Sequence, residues 1–221
     1  MVRENMKYSR LIKKLDAQEK KDLNFVLKLA KTCNFENRHT KHVTKLALKI
    51  FDDLQELHKL DSRDKFTLLC AGILHDIGVH TEGPKNHHKT ALKIILESPI
   101  LQFDDKTKLI ISSVARYHRG ALPDRKHDHF KTLTSKERDV VSALSAILRV
   151  SDGLDYSHKN RIRDVRAGYS KDNIKFDCLT KKDDINKEIY AAEKKGDLLR
   201  KIFNRDLKFK VLTVEEFTSL D

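Results

Sequence analysis

The sequence predicts a mainly α-helical fold that carries a small C-terminal α+β element, a short antiparallel sheet plus a helix. Apolar residues from Leu11 to Leu148 recur largely at three- and four-residue steps, the spacing of helices with one buried face. Thr134-Ser-Lys-Glu137 is a capping box, a start signal for a further helix. Past His158 the period changes, and Ile162 to Ala167 and Ile174 to Leu179 read as strands. The expected division is a helical body over residues 1–160, with N-terminal helices in 1–32, and an α+β element over 161–221.

Taken in order, Leu11 and Leu15, then Leu23, Val26, Leu27 and Ala30, predict one or two amphipathic helices at the start. Val43, Leu46, Ala47, Ile50, Leu54 and Leu57 form a single stripe with Lys and Asp opposite, and His39, four residues before Val43, extends it. Phe66, Leu69, Cys70, Ile73 and Leu74 predict a buried helix that runs into His75-Asp76-Ile77-Gly78, with Gly78 as its stop. Residues 79–86 contain Gly83-Pro84 and predict a loop. Helices over 87–96 and 106–118 follow, the second with Leu109, Ile110, Val114 and Tyr117 on one side and ended by Gly120 and Pro123. Residues 124–131 have no period and predict a surface loop, after which the capped helix runs through Val141, Leu144, Ile147 and Leu148 to about Asp152. In the tail, a turn over 170–173 joins two strands, a polar helix covers 184–203, and 207–211 reads as a third strand.

Composition excludes several function classes. With only 3 Pro and 7 Gly in 221 residues, collagen-like and low-complexity chains are out. At 39% hydrophobic and 35% charged, the clustering of the apolar residues argues for a charged-surfaced helical protein rather than disorder. The longest apolar run, Phe66 to Leu74 with Thr67 and Gly72 overlooked, is less than half of the ~20 residues a bilayer-spanning helix needs. No apolar leader follows Met1, and Cys33, Cys70 and Cys178 are too far apart for a zinc knuckle, so a cytoplasmic protein with free thiols is expected. The formal charge of +12 is spread along the chain and is not interleaved with aromatics. That pattern suits a solvated surface attractive to polyanions; a phosphorylated small molecule or polyphosphate ranks above nucleic acid as partner.

The residues that point to chemistry stand at the ends of the buried stripes. His39 continues one, His75 and Asp76 end another, and Asp152 lies four residues after Leu148 on a third. Imidazoles and carboxylates converging from several helices are the donor set of a divalent cation with positions left open for water. Neighbours on a regular helix diverge by ~100°, so His75 and Asp76 share an ion most easily at a helix end, where Gly78 would put them. A lone histidine on an apolar face is more often a hydrogen-bonded core residue; the order and spacing of the whole series carry the signal.

That series, His39…His75-Asp76…Asp152, resembles the signature of HD-domain metal phosphohydrolases. His39-Thr-Lys-His42-Val-Thr-Lys-Leu-Ala, Leu74-His-Asp-Ile-Gly78, Asn86-His-His-Lys89, Ala115-Arg-Tyr-His-Arg119-Gly-Ala-Leu-Pro123 and Ile147-Leu-Arg-Val-Ser-Asp-Gly-Leu-Asp155-Tyr-Ser-His158 are similar to the C-terminal HD domain of the exopolyphosphatase/guanosine-pentaphosphatase (Ppx/GppA) family, over about residues 33–160 and more weakly through the tail. The resemblance implies a helical HD-domain fold and a phosphohydrolase that attacks a phosphate ester or anhydride of a nucleotide or related polyanion with metal-activated water. It assigns His39, His75, Asp76 and Asp152 to a first metal, with Asp76 able to bridge to a second. His87, or His88 in its place, and His118 would hold that second ion or touch substrate phosphate. The implied cofactor is one or two divalent ions of Mn, Mg, Fe, Co, Ni or Zn. In the family, an N-terminal actin-like module carries the exopolyphosphatase chemistry, and this chain resembles a stand-alone HD module. The alternative function is therefore a non-catalytic polyphosphate- or nucleotide-binding module. Val79 and Ala121-Leu-Pro123 stand where cyclic-di-nucleotide phosphodiesterases of the superfamily have a lysine and Gly-Tyr-Pro, which disfavours that activity.

Beside Asp76 and His118, Arg119 is the third expected catalytic group, because a guanidinium clamps phosphate with two hydrogen bonds. Arg149 and Arg116 are weaker candidates for the same task. His42, His58 and Tyr117 are expected to be structural, His127 and His129 to sit in a surface loop, and His158 either to line the cleft or to pack. Strand edges in the tail suit a homodimer interface.

Overall fold

A computed structural model describes residues 14–180 and 184–219; the expected position Leu11 lies outside them. The body consists of α1 (Ala17–Thr32), α2 (Asn37–Asp53), α3 (Gln55–His58), α4 (Ser62–Leu74), α5 (Val79–Glu82), α6 (His87–Glu97), α7 (Asp105–Arg116), α8 (Asp128–Lys131) and α9 (Ser135–Gly153). The starts of three of the long helices are written into the sequence. Reciprocal capping boxes at Asp16 with Glu19, Asp61 with Asp64 and Thr134 with Glu137 satisfy the first amide groups of α1, α4 and α9.

The α2 stripe Val43, Leu46, Ala47, Ile50 and Leu54 is fully buried, and α9 is buried along most of its length from Val141 to Gly153. Helix α9 is the centre of the body, with α2, α4 and α7 packed on it. Two expected loops each contain one helical turn, α5 and α8, too short for an apolar period to reveal.

The tail holds β1 (Ile162–Tyr169), β2 (Asn173–Thr180), α10 (Asn186–Lys195), α11 (Asp197–Phe203), β3 (Asp206–Leu212) and α12 (Val214–Thr218). The sheet is mixed, not purely antiparallel: β1 and β2 form a hairpin, but β3 runs parallel to β2. The intervening α10 and α11 supply the crossover that a parallel pair requires. The expected single helix over 184–203 is broken at Gly196, where a side chain would collide with Leu207 at 2.2 Å.

Tail and body meet closely. The Ala167 amide donates to Asp53 Oδ2 over 2.8 Å, and a Cβ on Gly153 would lie 2.5 Å from the Ala192 Cα, so α10 rests directly on the end of α9. Among the described residues no helix is long and apolar enough to cross a membrane.

Candidate metal centre

Five helix ends converge at one place. His39 lies in the first turn of α2, His75 and Asp76 follow the last residue of α4, His87 opens α6, His118 follows α7, and Asp152 is in the last turn of α9. The turn after α4 is what allows adjacent His75 and Asp76 to face one point.

Asp76 is the hub. Its Oδ1 lies 3.0 Å from His87 Nε2 and 3.4 Å from His118 Nε2, while Oδ2 lies 3.4 Å from His75 Nε2 and 3.6 Å from His39 Nε2. Asp152 Oδ1 approaches His39 Nε2 at 3.3 Å. These atoms make two candidate metal-holding groups, His39 with His75 and Asp76, and His87 with His118 and Asp76.

The other nitrogen of every ring is tied down. His39 Nδ1 is bonded to Asp155 Oδ2 at 2.9 Å, His75 Nδ1 to the Gly72 carbonyl at 2.7 Å, His87 Nδ1 to the Pro84 carbonyl at 2.9 Å, and His118 Nδ1 to the Ala115 carbonyl at 2.7 Å. A carbonyl can only accept, so Nδ1 donates and the Nε2 lone pair of a neutral ring is turned inward. The buried Nε2 atoms of His39 and His75 have no hydrogen-bond partner while the rings are neutral; carboxylate oxygens face them, Asp152 Oδ1 at 3.3 Å and Asp76 Oδ2 at 3.4 Å. His87 Nε2 and His118 Nε2 lie 3.2 Å apart, so two neutral rings so held would oppose their lone pairs. Orphaned inward nitrogens around two carboxylates fit a divalent cation.

Without metal, protons do part of that work. Burial disfavours a charged His39, but bonds to Asp152 and Asp155 and the charges of Asp152 and Asp76 overcome it and raise its pKa to about 10. His75 rises against burial through the Asp76 charge and hydrogen bond. Burial works against ionised Asp76 as well, yet His75, His87 and His118 hold it well below the usual carboxylate range. Burial, then the His75 charge, drives His118 well below its ordinary value and keeps it neutral.

A helical domain whose helix ends gather histidines and aspartates in this way is of the HD type. The chain belongs to the Ppx/GppA phosphatase domain III family, whose model matches residues 24–191. No curated protein matches the sequence.

His39, His75, Asp76, Asp152, His87 and His118 are thus brought together, and the choice between His87 and His88 falls to His87. Arg119 stands at the rim, its Nη1 donating to the Pro84 carbonyl over 3.2 Å. Arg149 is elsewhere engaged: it grips Asp197 through Nη2 at 2.9 and 3.0 Å and donates to the carbonyls of Tyr117 at 3.1 Å and Lys195 at 3.2 Å. These acceptors make it a strut between the end of α7 and the tail. His42 Nε2 donates to the Ile162 carbonyl over 2.7 Å, a structural contact, and His158 stacks on His39 with ring centroids 3.7 Å apart.

Two residues escaped sequence reasoning. Lys195, at the end of α10, pairs with Asp152 Oδ2. Asp155 is fully buried and accepts from the Asn160 amide at 2.7 Å as well as bonding His39. Its place three residues after Asp152 was the available signal. Asp155→Ala leaves the buried His39 Nδ1 and the half-buried Asn160 amide without an acceptor and frees the His39 ring; a loss of about 3 kcal/mol in urea unfolding and of about tenfold or more in metal affinity is expected.

Proposed function

We propose that the chain is a metal-dependent phosphohydrolase acting on a phosphate ester or anhydride of a nucleotide or a polyphosphate. One observation carries this reading: each of four rings has Nδ1 tied off and Nε2 turned toward Asp76. A divalent cation held there supplies Lewis acidity toward a phosphoryl oxygen and acidifies bound water. His39, His75, Asp76 and Asp152 would hold one ion, and Asp76, His87 and His118 a second. Asp76 presents one oxygen to each pair of rings, which sets the two groups side by side on one carboxylate. Arg119 uses one nitrogen on Pro84, and the rest of its fork offsets charge on the phosphoryl oxygens. The excess of basic residues, +12 overall, favours approach of a polyanion.

The test pairs metal content with phosphate release. Tag-free protein is expected to carry divalent metal and to release phosphate from at least one of pyrophosphate, tripolyphosphate or the nucleoside polyphosphates. Asp152→Asn should lower turnover about a hundredfold. A folded protein that binds no divalent ion, or a variant as active as the parent, sinks the reading.

The second reading is a non-catalytic module that binds polyphosphate or a nucleotide. Lys195 favours it, since its ammonium group already gives Asp152 a cation. Polyphosphate binding with steep salt dependence, unaltered by Asp152→Asn and without turnover, would select it.

A further inference from the structure

Behind the metal centre lies a second cluster that the reaction above leaves unused. Arg116, in the last turn of α7, is 6% exposed, and its Nη1 is buried with no hydrogen-bond partner. Among the described residues no carboxylate lies within ion-pairing distance of it. The Tyr117 ring centroid lies 5.6 Å from the guanidinium carbon. A buried guanidinium without an anion is costly, so a fold that keeps one has a use for the missing charge.

Two imidazoles share its surroundings. His129 packs on the same Tyr117 ring at 5.3 Å, and its Nε2 is buried without a partner. His88 is 6% exposed, and its Nδ1 is likewise buried and unpartnered. The Arg116 charge acts on both rings. On His88, burial comes first, and Arg116, Arg119 and Lys89 add to it as positive neighbours. Asp128 is the acidic group that faces His129. One buried guanidinium nitrogen and two buried ring nitrogens, each without a partner and each able to donate when protonated, are groups that an oxyanion would engage.

We propose that Arg116, His88 and His129 form a phosphate subsite beside the metal centre. Arg116 offers the planar fork that matches two phosphate oxygens, and each imidazole can carry an N–H at its unpartnered nitrogen. The sequence ties the subsite to the centre, because His88 follows His87 and Arg116 precedes His118 by two residues. Gly120, itself exposed, comes so close that a Cβ there would lie 3.0 Å from His88 Nε2, which places the subsite just under the surface. A substrate with consecutive phosphates then sets one at the metal centre and its neighbour on Arg116. That last step rests on the function proposed above; the subsite itself does not.

The experiment is titration of the metal-chelated full chain with inorganic phosphate and with tripolyphosphate, followed by calorimetry. The parent and Lys171→Ala, a change in the exposed turn between β1 and β2, are expected to bind phosphate equally, while Arg116→Ala weakens it about tenfold or more. Arg116→Lys keeps the charge and loses the fork; with His88→Gln it reports the same loss, about threefold or more, if the alanine variant does not fold. Tighter binding of tripolyphosphate than of phosphate, with the same dependence on Arg116, assigns the subsite to a phosphate chain; equal binding restricts it to the free ion. Phosphate binding that is absent from the parent, or indifferent to Arg116 and His88, overturns the proposal. Phosphate held on Arg116 by a protein without metal or turnover would leave the subsite standing and remove the hydrolase reading.

Discussion

Asp76→Ala is expected to abolish retention of divalent metal and to destabilise the metal-free protein most strongly in mildly acidic solution. Both effects come from one carboxylate that faces four imidazoles, at 3.0 to 3.6 Å. If loss of a supporting group behind a ligand costs 10–100-fold in affinity, removal of the ligand common to both candidate metal groups costs about a hundredfold or more. In the metal-free state the Asp76 charge helps to raise the pKa of His39 and His75. A raised folded-state pKa contributes stability that is complete below the unfolded value, near 6.5, and is lost as pH climbs through the folded value, about 10 for His39. Asp76 itself is held below its ordinary 3.8, so its own contribution is present above that value and disappears as pH falls through the depressed one. The two dependences overlap between about pH 4 and pH 6.5, where the variant should lose about 3 kcal/mol in urea unfolding. At pH 9 the loss should be clearly smaller, because the rings of the unfolded chain are then neutral and the charged pair contributes less. A loss independent of pH would mean that Asp76 acts through packing alone. Metal bound as tightly by the variant as by the parent would displace Asp76 from the centre.

The candidate centre was legible where helical periodicity and chemistry coincide. His39, His75, Asp76 and Asp152 each extend or end an apolar stripe, and burial of the stripe carries the polar residue inward with it. His87 against His88 was not legible, since both open a helix whose preceding residue, Asn86, makes no side-chain cap, and both are buried. What separates them is how α6 is seated on the turn after α4, a tertiary fact. Arg149 is the converse case: its place one turn before Asp152 is legible, but the direction of its guanidinium is decided by Asp197, which arrives from the tail. Lys195 reaches Asp152 by the same route, across 43 residues, and no local pattern announces it. The direction of β3 was hidden for a related reason: alternation identifies a strand, whereas the return path through α10 and α11 decides whether it lies parallel.

Gly78→Ala tests that seating of α6 directly, and it should be the most damaging single methyl in the centre. A Cβ there would lie 2.2 Å from the His87 carbonyl oxygen, 2.9 Å from the Ala91 amide nitrogen and 2.9 Å from the Thr90 Cβ. The φ of Gly78 is −79°, ordinary for alanine, so the whole cost is collision and none is backbone strain. Because backbone atoms of α6 are in the way, relief requires the helix to move, and His87 moves with its first turn. Overpacking a tight interior costs 1–3 kcal/mol and occasionally more; about 3 kcal/mol is expected here. Gly72→Ala is the internal control. Its nearest obstacle is the Thr44 hydroxyl at 2.9 Å, a side-chain atom, so its cost should be about 1 kcal/mol. The two variants should also differ at the site. Displacing α6 separates His87 from Asp76, now 3.0 Å apart, and leaves the His39 and His75 side in place. Metal titration of Gly78→Ala should therefore show selective loss of the ion held with His87 and His118, with the other retained. Equal losses at both positions, or a Gly78→Ala protein as stable as Gly72→Ala, would show that close contact between this turn and α6 is not what holds His87 on Asp76.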